Sequence, residues 1–203
     1  MSLDLFTHRY VPATKPGLPA LLLLHGTGGS EDDLLPLGPR LAPGAALLSP
    51  RGRVLEGGMP RFFRRLREGV FDEADVRHRA RELAAFIAAA REAHGLPAPI
   101  AVGFSNGANM AAALLQLHPD ALAGAVLWRA MVPLQVAPEA DLAGKRVLIT
   151  SGASDPIVPA ANAARLAAIL AGDGAEVRHE VLPTGHGLVQ PDIDLAKAWL
   201  AGT

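Results

Sequence analysis

The stretch Gly103-Phe104-Ser105-Asn106-Gly107 sets one serine between two glycines, directly after the short apolar run Ala98-Pro99-Ile100-Ala101-Val102. Gly-x-Ser-x-Gly has mechanical meaning where a buried strand turns sharply into a helix, because the turn lifts the serine hydroxyl clear of the backbone. Small residues at Gly103 and Gly107 let strand and helix approach each other there. Taken alone, the pentapeptide is equally compatible with a serine that merely caps the following helix. A serine hydroxyl is a weak nucleophile near neutral pH; it needs a histidine to take its proton and an acid to orient that histidine. Candidates follow in the order Ser, Asp, His that suits such a site. Asp155 lies in Ser-Asp-Pro-Ile-Val-Pro after the apolar run Val147-Leu148-Ile149-Thr150, and His186 lies in Thr-Gly-His-Gly after the next predicted strand. Each alone is an ordinary turn residue. Three at three successive strand ends predict nucleophilic catalysis, with Ser105 as nucleophile, His186 as base and Asp155 as its orienting acid.

Acyl transfer also needs backbone N–H groups facing the oxygen on which charge develops. His25-Gly26-Thr27-Gly28-Gly29 follows the run Ala20 to Leu24 and offers Thr27 as one donor, while Asn106, next to the serine, offers the other. His25 is expected to support this loop by hydrogen bonding rather than to move protons. A glycine-rich loop after a strand could instead cradle phosphate, but Gly-Thr-Gly-Gly-Ser-Glu-Asp lacks both G-x-G-x-x-G and the Lys-Ser/Thr pair of a P-loop.

The elements that must position these residues alternate: short apolar runs bounded by Gly and Pro, then longer helix-like stretches. That pattern predicts an α/β chain with a mostly parallel sheet of about seven strands and helices on both faces. Strands are predicted over Leu3 to Val11, Ala20 to His25, Ala45 to Ser49, Pro99 to Phe104, Ala121 to Trp128, Arg146 to Ser151 and Glu176 to Leu182. The clearest helix starts after Asp72, an N-cap followed by acidic residues; Val76, Ala80, Leu83 and Ile87 repeat at four, three and four, and Gly95 should end it. Further helices are predicted over Asn106 to Leu117, Pro159 to Ala171 and Pro191 to Ala201. No linker divides the chain, so residues 1–203 are read as one domain.

Half of the 203 residues are hydrophobic and the formal net charge is −1, which suits a well-buried sheet and gives nucleic acid or an anionic membrane no electrostatic hold. Cysteine is absent, excluding disulfides and a thiolate nucleophile, and with it chemistry of the dienelactone hydrolase type. The N-terminal segment lacks the continuous apolar stretch of a signal peptide, and the longest apolar run is far too short to span a bilayer; a cytoplasmic protein is expected. His8, His78, His94, His118 and His179 show no metal-ligand spacing, so neither a metal nor a cofactor is expected.

With these motifs in place the chain resembles the α/β-hydrolase fold and, within it, the phospholipase/carboxylesterase family of small lidless serine esterases and thioesterases. His-Gly-Thr-Gly-Gly resembles the family's oxyanion loop, Gly57 to Phe63 its Gly-Gly-Met plus aromatic segment, and the Ser105, Asp155 and His186 motifs its elbow, acid loop and histidine loop. Leu-Ser-Pro-Arg-Gly and Met-Val-Pro-Leu are similar to a bacterial subgroup of carboxylesterases and hydroquinone-associated hydrolases. Two departures stand out. Asn106 replaces the family's usual glutamine, and Phe62-Phe63-Arg64 stands where thioesterase members carry Trp-Phe or Trp-Tyr followed by Asp, which argues against a long-chain acyl-protein substrate.

The resemblance implies a serine carboxylesterase acting on a small-molecule ester of short to medium chain length, with thioester or lysophospholipid hydrolysis by the same residues as the alternative. A catalytically silent ligand-binding protein of the same fold is the remaining competitor. A homodimer is left open. Only 17 residues separate Trp128 from Arg146, too few for a helical cap, so the site should be open. Met59, Phe62, Trp128, Met131, Ile157 and Leu188 are candidate apolar contacts for substrate, each equally readable as an ordinary core or rim side chain. Six arginines between Arg51 and Arg67 could attract an anion, although such runs are more often a solvated face paired with residues such as Glu56 and Glu68.

Overall fold

The computed structural model describes residues 3–136 and 139–202. In chain order its elements are β1 (His8–Val11), β2 (Leu21–Leu24), α1 (Gly38–Leu41), β3 (Leu47–Pro50), β4 (Val54–Glu56), β5 (Met59–Arg61), β6 (Arg65–Arg67), β7 (Val70–Phe71), α2 (Glu73–His94), β8 (Ile100–Phe104), α3 (Asn106–Leu117), β9 (Gly124–Trp128), β10 (Arg146–Gly152), α4 (Ala160–Gly172), β11 (Glu176–Leu182) and α5 (Gln190–Leu200). Seven strands form the central sheet in the order β1-β3-β2-β8-β9-β10-β11, with β1 antiparallel and the rest parallel.

The four leucines of β2 are all fully buried because helices cover both faces of the sheet. Leu22 and Leu24 pack with Leu83, Phe86 and Ile87 of α2 and with the alanines of α3; Leu21 and Leu23 pack with Ile193, Ala196 and Trp199 of α5. The period of two in a strand thus splits one apolar run between two cores. The α2 boundaries follow their local chemistry. The Asp72 carboxylate accepts the Asp75 N–H at 3.1 Å, and Gly95 ends the helix in the left-handed conformation at φ 62°.

Two predicted strands start three or more residues too early, and that predicted from Ala45 begins at Leu47. Residues Leu3–Leu5 form a 3-10 turn, because Leu3, Leu5 and Phe6 all pack against the same core, which an alternating strand does not allow. Pro119–Ala121 forms another such turn, and β9 begins only at Gly124, where pairing with Ile100 and Arg146 starts. Two hairpins between β3 and α2 have no counterpart in the predicted elements. β4 and β5 join through Gly57 and Gly58, both at positive φ, and β6 pairs with β7; neither hairpin joins the central sheet. The described residues between β9 and β10 form no helix or strand, so they build no helical cap there.

Leu22→Ala removes a fully buried side chain from the larger core and is expected to cost about 2–5 kcal/mol, read as a lower urea midpoint with an unchanged m-value.

Candidate active site

Ser105, Asp155, His186 and Thr27 all emerge beyond the carboxyl ends of parallel strands, respectively β8, β10, β11 and β2. Ser105 stands between β8 and α3 with φ 51° and ψ −112°, a conformation rare for a side chain with a Cβ. Its N–H donates to the Trp128 carbonyl at 2.8 Å and its carbonyl accepts the Asn109 N–H at 2.9 Å. The close crossing explains the flanking glycines: a Cβ on Gly103 would lie 2.7 Å from the Ala108 backbone, and one on Gly107 2.1 Å from the Leu24 carbonyl oxygen.

His186 Nε2 lies 3.0 Å from Ser105 Oγ, and His186 Nδ1 lies 2.8 Å from Asp155 Oδ2. An imidazole that donates from Nδ1 to the carboxylate keeps Nε2 as acceptor for the serine hydroxyl. The other oxygen of Asp155 accepts the N–H groups of Ile157 and Val158 at 2.8 and 3.0 Å. Burial by itself would raise the pKa of this fully enclosed carboxyl. The Val158 and Ile157 N–H groups and His186 together outweigh that effect and hold it below its ordinary value of 3.8. The acid and histidine loops touch backbone to backbone: a Cβ on Gly152 would lie 2.3 Å from the Gly185 carbonyl oxygen, and the Ser154 N–H donates to Thr184 at 3.0 Å.

On the opposite side, Gly28 at φ 82° turns the loop after β2, and its N–H donates to Pro60 of β5 at 2.9 Å. Among the described residues neither the Thr27 N–H nor the Asn106 N–H has a partner, the latter because it opens α3. His25 lies beneath this loop. Its Nδ1–H donates to the Gly26 carbonyl at 2.6 Å and its Nε2 accepts the Gly52 N–H at 2.9 Å; burial keeps its pKa below the ordinary imidazole value. A neutral ring tied at both nitrogens is a support, with no proton to spare.

A cavity of about 270 Å³ opens beside these groups, bordered by Ser105, His186, Thr27 and Asn106 and by apolar Phe71, Met131, Ile157 and Val158. Of the six candidate apolar contacts, Met131 and Ile157 border it. Phe62 and Trp128 do not: they are 2% and 0% exposed, Phe62 packed against the His25 ring and Trp128 within the α5-side core. Leu188 leans on that same core, and Met59 is exposed on β5 beside Gly28, outside the cavity. A larger depression of about 600 Å³, near Pro19, Pro97 and Trp199, lies at the amino ends of β8 and β9 and carries no nucleophile. Among the described residues no cluster of three or more histidine, aspartate or glutamate side chains could hold a metal, and no helix is long and apolar enough to cross a membrane.

A profile of the alpha/beta hydrolase fold matches residues 19–143. This chain belongs to the α/β-hydrolase family. It is 46% identical over 194 residues to MhqD of Bacillus subtilis (strain 168), a protein named as a hydrolase, with 95% of this chain and 96% of MhqD covered. The crystal structure of the Bacillus cereus carboxylesterase superposes with a TM-score of 0.95 at 44% identity, covering 97% of this chain and 94% of that one. A carboxylesterase from Mesorhizobium loti superposes at 0.92 with 37% identity, covering 98% and 96%.

Buried residues that the motifs do not reveal hold the loops around the cavity. Arg129, directly after β9, is fully buried and sits at φ 57°. Its Nη1 and Nη2 grip both oxygens of Asp192 at 2.8 and 2.7 Å, while Nε and Nη2 donate to the carbonyls of Gly185 and Gly187, each at 3.1 Å. One guanidinium therefore holds the backbone on both sides of His186. The Asn106 side chain accepts the Phe62 N–H at 2.7 Å, and Asn109 accepts the N–H of Met131, which borders the cavity, at 2.7 Å, so two amides of α3 tie down the segment after β5 and the one after β9. The only sequence signals were a charge at the end of an apolar strand and an aspartate at the start of the last helix.

Arg129→Met alone leaves the Asp192 carboxylate buried with no opposing charge, although Thr150 and the Val189 N–H still donate to it, and is expected to cost about 3–5 kcal/mol. Arg129→Met/Asp192→Leu removes both charges and is expected to recover most of that loss in urea denaturation. Without donors for Gly185 and Gly187, however, its Ser105 should react with a fluorophosphonate about tenfold more slowly or worse; labelling at the wild-type rate would show that the loop needs no clamp. Asp155, with its depressed pKa, stabilises the fold fully above its unfolded value near 3.8, and that contribution is lost as pH falls through the lower folded value. The difference in Tm between wild type and Asp155→Asn should accordingly shrink below about pH 4.

Proposed function

We propose that this hydrolase is a serine carboxylesterase acting on short- to medium-chain esters through an acyl-enzyme. The observation that carries this reading is the unbroken path from Ser105 Oγ through His186 to Asp155 at the edge of the cavity. In the proposed mechanism His186 Nε2 takes the hydroxyl proton as Ser105 Oγ attacks the ester carbonyl carbon. The Thr27 and Asn106 N–H groups bind the oxyanion, and Asp155 stabilises the imidazolium without becoming protonated. His186 returns the proton to the departing alkoxide, and an alcohol leaves. Water then enters, loses a proton to His186 and attacks the acyl carbon; the acyl–Oγ bond breaks, His186 passes the proton to Ser105 Oγ, and the carboxylic acid leaves.

The size of the cavity supports a short acyl group, since about 270 Å³ falls below the range of drug-sized ligand pockets. The uncapped stretch between β9 and β10 supports direct entry from solvent, and the carboxylesterases from Bacillus cereus and Mesorhizobium loti support the oxygen-ester substrate.

Ser105→Ala is expected to lower kcat on p-nitrophenyl acetate by about 10⁴-fold or more and to abolish fluorophosphonate labelling, with the modified peptide of the wild type located by mass spectrometry. Full activity in the variant would remove Ser105 from the mechanism. Matched oxygen esters and acyl thioesters separate the esterase from a thioesterase using the same residues.

A further inference from the structure

We propose that the cleft selects esters that also carry a carboxylate, held by the guanidinium groups of Arg61 and Arg65. The proposal rests on the esterase reading of Ser105 and adds the substrate class. The arginines between positions 51 and 67 do not behave as one face. Arg51 pairs with Glu31, Arg53 with Glu82 and Arg64 with Asp72, all away from the cavity. Arg61 and Arg65 instead border the cavity that holds Ser105 and His186.

Their hydrogen bonds leave donors to spare. Arg61, its side chain 4% exposed, donates from Nη1 to Thr27 Oγ1 at 2.6 Å and from Nε to the Phe63 carbonyl at 3.2 Å. Arg65 donates from Nε to Glu56 Oε1 at 2.6 Å. Among the described residues, Nη2 of Arg61 and both Nη groups of Arg65 have no partner. The free fork of Arg65 is the planar edge that meets a carboxylate with two parallel bonds. One carboxylate, Glu56, is shared between the two guanidinium groups, 2.6 Å from Arg65 Nε and 3.3 Å from Arg61 Nε. The trio keeps one net positive charge, which matches a monoanion better than a phosphate dianion.

The rest of the lining includes an apolar face of Phe71, Phe104, Met131, Ile157 and Val158, beside Asn109 and Arg129, whose charge is already paired with Asp192. A substrate with a carboxylate at one end and a short apolar group at the other satisfies both walls. Burial opposes the charge on Arg61, so an anion brought to it relieves a cost already present in the free protein. Glu68 also borders the cavity and has the opposing sign, but it is exposed, where water screens its charge more strongly than that of Arg61. The reaction itself is unchanged: a hemiester and water give a dicarboxylic acid and an alcohol, and an acyloxy acid and water give a carboxylic acid and a hydroxy acid.

The test compares kcat/KM, by pH-stat, for monoethyl succinate against ethyl butyrate and for acetoxyacetate against ethyl acetate, which places the carboxylate on either side of the scissile bond. One of the two charged esters is expected to exceed its neutral counterpart by about tenfold or more, mainly through KM, and added salt should reduce the ratio. Arg65→Gln should collapse the ratio, Arg65→Lys should retain part of it, and Glu68→Gln should raise it; circular dichroism checks that each variant is folded. Neutral esters that react as fast as both charged esters, or a ratio untouched by Arg65→Gln, would overturn the proposal. If Ser105 in that same preparation is labelled by fluorophosphonate, selectivity alone has failed. If it is neither labelled nor active on p-nitrophenyl acetate, the esterase reading fails with it.

Discussion

The backbone at Ser105 is the constraint on which the other parts depend. A residue with a Cβ held at φ 51° and ψ −112° carries a strain of the order of 1–3 kcal/mol, so the surroundings must leave it no alternative. They do so by contact. Gly107 presses against the carbonyls of Leu24 and His25, Gly103 against Ala108, and the Ser105 N–H is fixed by Trp128. The same contacts set the height of the loop after β2 and of the chain leaving β9, so the groups surrounding the serine are placed by the packing that strains it.

Arg129 illustrates a second economy. A buried ion pair is weak evidence for stability, because apolar residues of similar size often serve as well. They could not, however, offer N–H groups to the carbonyls of Gly185 and Gly187. The pair with Asp192 makes a buried guanidinium tolerable, and the guanidinium then positions the backbone around His186. The charge in that place thus gives the histidine loop donors that an apolar pair lacks.

Much of this was legible in the amino-acid order. The four leucines of β2, the four-three-four spacing after Asp72 and the serine between glycines each follow from a local rule, and the structure places Ser105, Asp155 and His186 within hydrogen-bonding distance. What escaped depends on contacts distant in sequence. Arg129 bonds to residues more than 50 positions away, and nothing local marks it as buried. The β4–β5 hairpin hides in a run rich in arginine whose only signal is Gly57-Gly58. Phe62 and Trp128 look like pocket residues by type, yet the sheet and the His25 ring enclose them.

The two hairpins have one more consequence. Because β4 to β7 pair only among themselves, no ladder of the seven-stranded sheet runs through them. The wall bearing Arg61 and Arg65 can therefore be rewritten in length or charge without shifting the register of any strand that holds Ser105, Asp155 or His186. The hairpins meet the site instead through side-chain and backbone bonds, from the Gly28 N–H to Pro60, from Arg61 to Thr27 and from the Phe62 N–H to Asn106, so a change in this wall reaches the surroundings of the serine through those links rather than through the sheet.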